Sequence, residues 1–343
     1  MGLLGRLWPH PSPSPVPETA PIGALIERLT VLSPSLKLVP RYRERLRPAL
    51  AQSIAYATES VARLPPAREA SAANWLADPY IHAFFAAPDD IAPVLSRSPA
   101  LHEWFDAHLL ARETYAVLAM TMTERHAFGV EQAGDTVHSD VAQRTLSFDG
   151  HLVRVCDETE AGLRGQIVER VVEQLALEAL AQIGAEESRR DALVQERALL
   201  KTRLQLMTRH GVGTHAMLGA SVAADAAPRL GLEAALEANA RALDALGLKT
   251  DALAHELDLL CDVLSDPAQH ANVEMKRVRL NAMNVVVGAG DAGDAGDSAE
   301  IVFPLARLPA SELGERAFSL VRFARADLVP LEVVLDRDSR FAI

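Results

Sequence analysis

The residues whose types best suit chemistry are His126, Asp135, His138 and Asp140. His138 and Asp140, two positions apart, could offer an imidazole nitrogen and a carboxylate oxygen to zinc or iron. Such a site needs further ligands, yet no HExxH or CxxC occurs and no other His or Cys stands at ligand spacing. The stretch 126–140 therefore reads as an exposed polar loop, and an enzyme or metal-binding protein using it is an alternative function. Gly211-Val212-Gly213-Thr214 has the glycines of a phosphate loop but follows a helical pattern and lacks the Gly-Lys-Ser/Thr that would complete it. Gly211 reads as a helix C-cap. The Gly/Asp run 288–297 has neither EF-hand spacing nor a nine-residue repeat, so it reads as a loop rather than a calcium site. There is no GxSxG elbow, and neither Cys156 nor Cys261 has a readable histidine partner. No catalytic, cofactor-binding or metal-binding residue is assigned.

The element that organises these pieces is a long antiparallel helical hairpin, 157–266. Its second arm carries Leu236, Leu243, Leu246, Thr250, Leu253, Leu257, Leu260 and Leu264. From Leu243 the steps alternate three and four, an a/d seam of the coiled-coil kind. Asp266-Pro267 ends it, because proline removes an N–H and pushes its predecessor out of helical geometry. The first arm, about 50 residues or ~75 Å at helical rise, starts at Asp157 as N-cap with Glu160 three residues on. Ile167, Val171, Leu175, Leu193, Leu200, Leu204 and Met207 supply its apolar positions, and the charged run 186–190 weakens the seam midway. The expected tip, 211–224, has no charged residue. Leu218 in that tip and Leu243, Leu246, Leu253 and Leu257 in the second arm are the candidate interaction residues.

Around the hairpin the expectation is an α+β fold, predominantly helical, with an N-terminal helical bundle and a small, mostly antiparallel sheet. Residues 1–21 read as a Pro-rich disordered tail. Residues 22–127 read as helix throughout: Ile22 to Leu32, Arg41 to Leu64, restarts at Pro79, Pro88 and Pro99, and a last helix from Leu109 to Arg125. Tyr80, Phe84, Phe85, Trp104 and Phe105 cluster in this subdomain, as its core or as an aromatic groove for a small ligand. The β subdomain, 128–156 plus 267–330, flanks the hairpin. Thr145–Phe148 and His151–Val155 around Asp149-Gly150 predict a hairpin turn. Val273–Leu280, Met283–Val287, Ile301–Leu305 and Phe318–Phe323 predict further strands. Residues 331–343 are an edge strand or tail.

Composition narrows the function classes. A chain of 343 residues with 49% hydrophobic content supports a sizeable core, and its net charge of −12 argues against a nucleic-acid partner. No run approaches the ~20 apolar residues of a membrane span, the N-terminus does not read as a secretory signal, and two cysteines make no disulfide framework. The expectation is a cytoplasmic, non-catalytic interaction or scaffold protein, acting on a protein partner or as a homo-oligomer through the hairpin. A small-ligand sensor built on residues 80–105 is a further alternative.

Overall fold

Prolines start four of the α-helices. The structure, a computed structural model, describes residues 22–133, 136–210, 226–246, 252–270, 273–288, 298–307 and 315–333. The helices α1 (Ile22–Leu32) and α2 (Tyr42–Ala62) match their sequence signals, and α3 (Pro79–Phe84), α4 (Pro88–Ser96) and α5 (Pro99–Ala107) each begin at the expected proline. There the missing N–H costs nothing, because first-turn amides have no partner inside the helix. The fold is α+β, with a long helix α6 (Glu160–His210) between strands β3 (Thr136–Asp157) and β4 (Val273–Leu280) of a six-stranded sheet. Then come α7 (Ala226–Ala245), α8 (Ala252–Ser265) and α9 (Pro267–His270).

The chain divides into two compact units. The first contains residues 54–171 and 271–343, and its sheet runs in the order β3-β2-β6-β5-β4. These strands are β2 (Glu113–Ala133), β3 (Thr136–Asp157), β4 (Val273–Leu280), β5 (Ala299–Arg307) and β6 (Glu315–Ala324). A two-residue β1 (Arg68–Glu69) lies parallel to β6. The remaining ladders are antiparallel. Two sequence expectations are corrected here. Residues expected to form a helix from Leu109 to Arg125 belong largely to β2. Tyr115, Leu118 and Met122 fit a helical face, but Leu118, Met120 and Met122 also alternate. Pairing with β3 on one edge and β6 on the other selected the strand. The Asp149-Gly150 pair is not a hairpin turn. β3 runs through it unbroken, with Gly150 at φ +59° and one extra residue on β3 between the pairs Ala119↔Leu152 and Thr121↔Asp149. This is a β-bulge, which uses the same left-handed freedom of glycine as a turn would. The strand reversal lies between Ala133 and Thr136, which pair directly.

Of the expected strand Met283–Val287, only single bridges form: Val285 to Thr145 of β3 and Val286 to Leu280 of β4. Leu146 N donates to Asn284 O at 3.0 Å and Val287 N to Arg279 O at 2.9 Å. This short segment therefore hydrogen-bonds to both outermost strands. The inner face of the sheet carries Leu118, Met120, Leu146, Phe148, Ile301, Phe303, Val321 and Phe323, all buried with Tyr80, Phe84, Phe85 and Phe105. Phe84 meets Phe148 edge-on, with ring centroids 4.9 Å apart. These aromatic faces are thus turned into the core.

The short helices are tied down through their last carbonyls. Asn284 Nδ2 donates to Ala83 O at 2.9 Å, His151 Nε2–H to Phe84 O at 2.7 Å and Trp75 Nε1–H to Phe85 O at 2.8 Å. Arg325 donates to Phe105 O, His108 O and Ala111 O at 2.6, 2.5 and 2.8 Å. Arg164, with a side chain 0% exposed, does the same for the end of α2. It donates to Val61 O, Leu64 O and Pro65 O at 2.6, 3.1 and 3.0 Å and ion-pairs with Glu160 at 2.7 Å. Glu160 is therefore not half of a capping box. Thr159 caps α6, its Oγ1 accepting from Gly162 N at 3.0 Å, while Asp157 ends β3 and accepts from Thr159 N.

The second unit contains residues 21–53 and 172–270. Leu25, Ile26, Leu29, Leu46, Leu50, Val172, Leu175, Ala179, Leu257, Leu260 and Leu264 form its core. Ser53 Oγ donates to Leu264 O at 2.5 Å, and Arg28 pairs with Glu173 at 3.1 Å. The second arm is not one helix. α7 ends at Ala245, Leu246 N bonds Leu243 O in a tightened last turn, and Gly247 follows in the sequence.

Two outcomes follow from these contacts. Arg164→Leu should cost about 3–5 kcal/mol, since it strands a carboxylate and three carbonyls; urea denaturation checks this, and a loss under 1 kcal/mol refutes it. His151 is held by burial below the usual imidazole pKa. Its folded form therefore takes up its proton at lower pH than its unfolded form, so its contribution is complete above about pH 6.5 and declines as pH falls below that. The melting temperature of the wild type should fall between pH 7 and 5 more steeply than that of His151→Phe.

Candidate functional site

The hairpin's two arms are registered by polar contacts at successive levels. Glu186 meets His255 at 3.0 Å, Arg190 donates to Leu246 O, and Asn239 Nδ2 donates to Leu193 O at 3.0 Å and to Glu196 Oε2 at 2.9 Å. Residue numbers rise on α6 as they fall on its partners, so the arms are antiparallel. Asn239 is 4% exposed, and its Oδ1 is buried without a hydrogen-bond partner. A polar amide in an apolar seam opposes sliding of one helix on the other, at some cost in stability. The sequence held the signal: Leu236, Asn239, Leu243 and Leu246 step by three, four and three, so Asn239 occupies a seam position.

Of the candidate interaction residues, Leu257 is fully buried inside the second unit. Leu243, Leu246 and Leu253 are half-buried, and Leu218 lies outside the described residues. The outward surface is elsewhere. From residue 184 to 207 no side chain of α6 is buried, and Leu199 and Leu206 are 65% and 50% exposed. Arg203 lies between them, four residues after the first and three before the second, on one helix face. Residues 197–210 include Arg197, Lys201, Arg203 and Arg209 and no acid, in a chain of net charge −12. Leu199, Arg203 and Leu206 thus share one exposed face within a locally basic stretch.

The remaining candidates separate. The polar loop expected at 126–140 is a pair of strands, because the ladder of β2 and β3 continues almost to their ends. His126 is exposed and sits opposite Arg144, and His138 sits opposite Glu131. Five residues of strand put these histidine positions about 17 Å apart along the ladder, too far to share an ion. Asp135 and the side chains of His138 and Asp140 are outside the described residues, as are 211–225 and 289–297. Among the described residues no group of three His, Cys, Asp or Glu could hold a metal. Burial pushes the Cys156 thiol up to about 12 and raises that of Cys261, so both stay protonated and unreactive at neutral pH. No described helix is long and apolar enough to cross a membrane.

Compared with protein-family models, curated proteins and solved structures, the chain matches none of them.

Asn239→Leu should raise stability by about 1 kcal/mol, by removing the buried unpaired oxygen. Calorimetry checks this; a loss of that size would show that the amide's two hydrogen bonds outweigh it.

Proposed function

We propose that this is a non-catalytic interaction or scaffold protein that binds an acidic protein partner, which includes a second copy of itself, through the hairpin of its second unit. The observation that supports this most directly is the exposed face of α6 with Leu199, Arg203 and Leu206. Apolar side chains left in water beyond the hairpin seam gain about 25 cal/mol per Å² when a partner covers them. The surrounding basic residues favour a partner of opposite charge. Registration by Asn239 keeps that face in a fixed orientation, which lowers the ordering cost of binding. Two unpaired cysteines suit a reducing cytoplasm.

The test is capture from the native host by crosslinking, comparing wild type with the double variant Leu199→Glu, Leu206→Glu. Both side chains are exposed, so melting should change little, while the captured partner should be lost. Retention of the same partner by the double variant would sink the reading.

A further inference from the structure

On the first unit, the apolar inner face of the sheet turns charged at one end. Glu124 lies directly opposite the buried Leu146, and Lys276 opposite the buried Phe303, so both occupy inward-facing positions. Arg144, two residues before Leu146, shares that face. Glu124 accepts from Arg144 at 3.2 Å and pairs with Lys276 at 3.6 Å. One carboxylate thus serves two cations, with side chains 30% exposed for Glu124 and 27% for Lys276.

These residues line a cavity of about 320 Å³, with Leu146, Val278 and Val286 also on its wall. Arg277 and Arg279 line it too, and Arg277 pairs with Glu300 at 3.0 Å. Arg277 and Arg279 border it from the opposite face of the strand and are exposed, so on the inner face two cations, Arg144 and Lys276, share the single carboxylate of Glu124. Lys276 is the part-buried cation and Arg144 is 55% exposed, and the one carboxylate they share leaves donors on both for a further anion. The volume lies at the small end of ligand sites. The apolar wall beside the cations adds a second requirement, an apolar body next to the anionic group.

We infer that this cavity, with Arg144 and Lys276 as the anion contacts, binds a small organic carboxylate with an apolar body. The carboxylate accepts from the Arg144 guanidinium and the Lys276 ammonium in competition with Glu124, and the hydrocarbon lies along Leu146, Val278 and Val286. Glu124 then acts as the counter-ion that the ligand displaces. This site is independent of the hairpin.

Isothermal titration of the full chain with hexanoate tests it, with hexanol and inorganic phosphate as probes of the apolar and the charged half alone. Hexanoate should bind more tightly than either. Lys276→Met should weaken it about tenfold, and Glu124→Gln should bind it more tightly than wild type, because the competing carboxylate is gone. A purely structural role for Glu124 would not produce that gain. No heat with hexanoate, equal affinity in Lys276→Met, or phosphate binding as tightly as hexanoate would overturn the inference.

Discussion

A guanidinium with no exposed surface holds the end of α2. Arg164 gives its N–H groups to three carbonyls that α2 and its following residues leave open, and Glu160, one turn earlier on α6, balances its charge. The last carbonyls of a helix have no partner inside it, and burying them unpaired costs of order 1–3 kcal/mol each. The first unit meets that cost repeatedly and in one way. Asn284, His151, Trp75 and Arg325 each reach from elsewhere in the chain to the end of a short helix. Helices of six to nine residues have little stability of their own. Side chains that close their ends and aromatic rings that bury their faces keep them in place.

The same economy of polar groups shapes the sheet. β2 pairs along both edges, and the segment 284–287 takes up hydrogen bonds at β3 and β4. The bulge at Gly150 lets a 22-residue strand bend without losing its partner. The inner face stays apolar until Glu124, Arg144 and Lys276, where the alternation that had carried leucine, methionine and phenylalanine carries charge instead. In the second unit the comparable exception is Asn239, a polar group placed in an apolar seam. In each case one polar position interrupts an otherwise regular pattern, and each interruption has a physical consequence: a cationic cavity in one unit, a defined register in the other.

Much of the fold was legible in the chain. α1, the proline-started α3, α4 and α5, the 51-residue α6 and strand β4 all lie where periodicity and punctuation put them. Their signals are local: a capping residue, a proline at the first position, an alternation over eight residues. The misreadings share a cause. Leu118 and Met122 satisfy a helical face with Tyr115 and a strand face with Met120 equally, and Asp149-Gly150 satisfies a turn and a bulge equally. The candidate surfaces were harder to read. Leu199 and Leu206 are indistinguishable in sequence from Leu200 and Leu204, one and two positions away on the same helix, yet the first two are exposed and the others half-buried.

What the sequence by itself determined is therefore the set of segments with unambiguous local signals: the proline-started helices, the long first arm of the hairpin, and the acidic balance of the whole. Those follow from backbone sterics and from the burial of apolar stripes, which depend on near neighbours in the chain. Tertiary structure alone decided that β2 is a strand, that Gly150 bends a strand instead of ending it, and that Glu124, Arg144 and Lys276 meet. Those outcomes depend on which distant segment supplies the missing hydrogen bonds and the facing side chains, and 20 to about 150 residues of chain separate the members of that charged trio. No local pattern encodes a contact across that span; only the closed set of backbone pairings does.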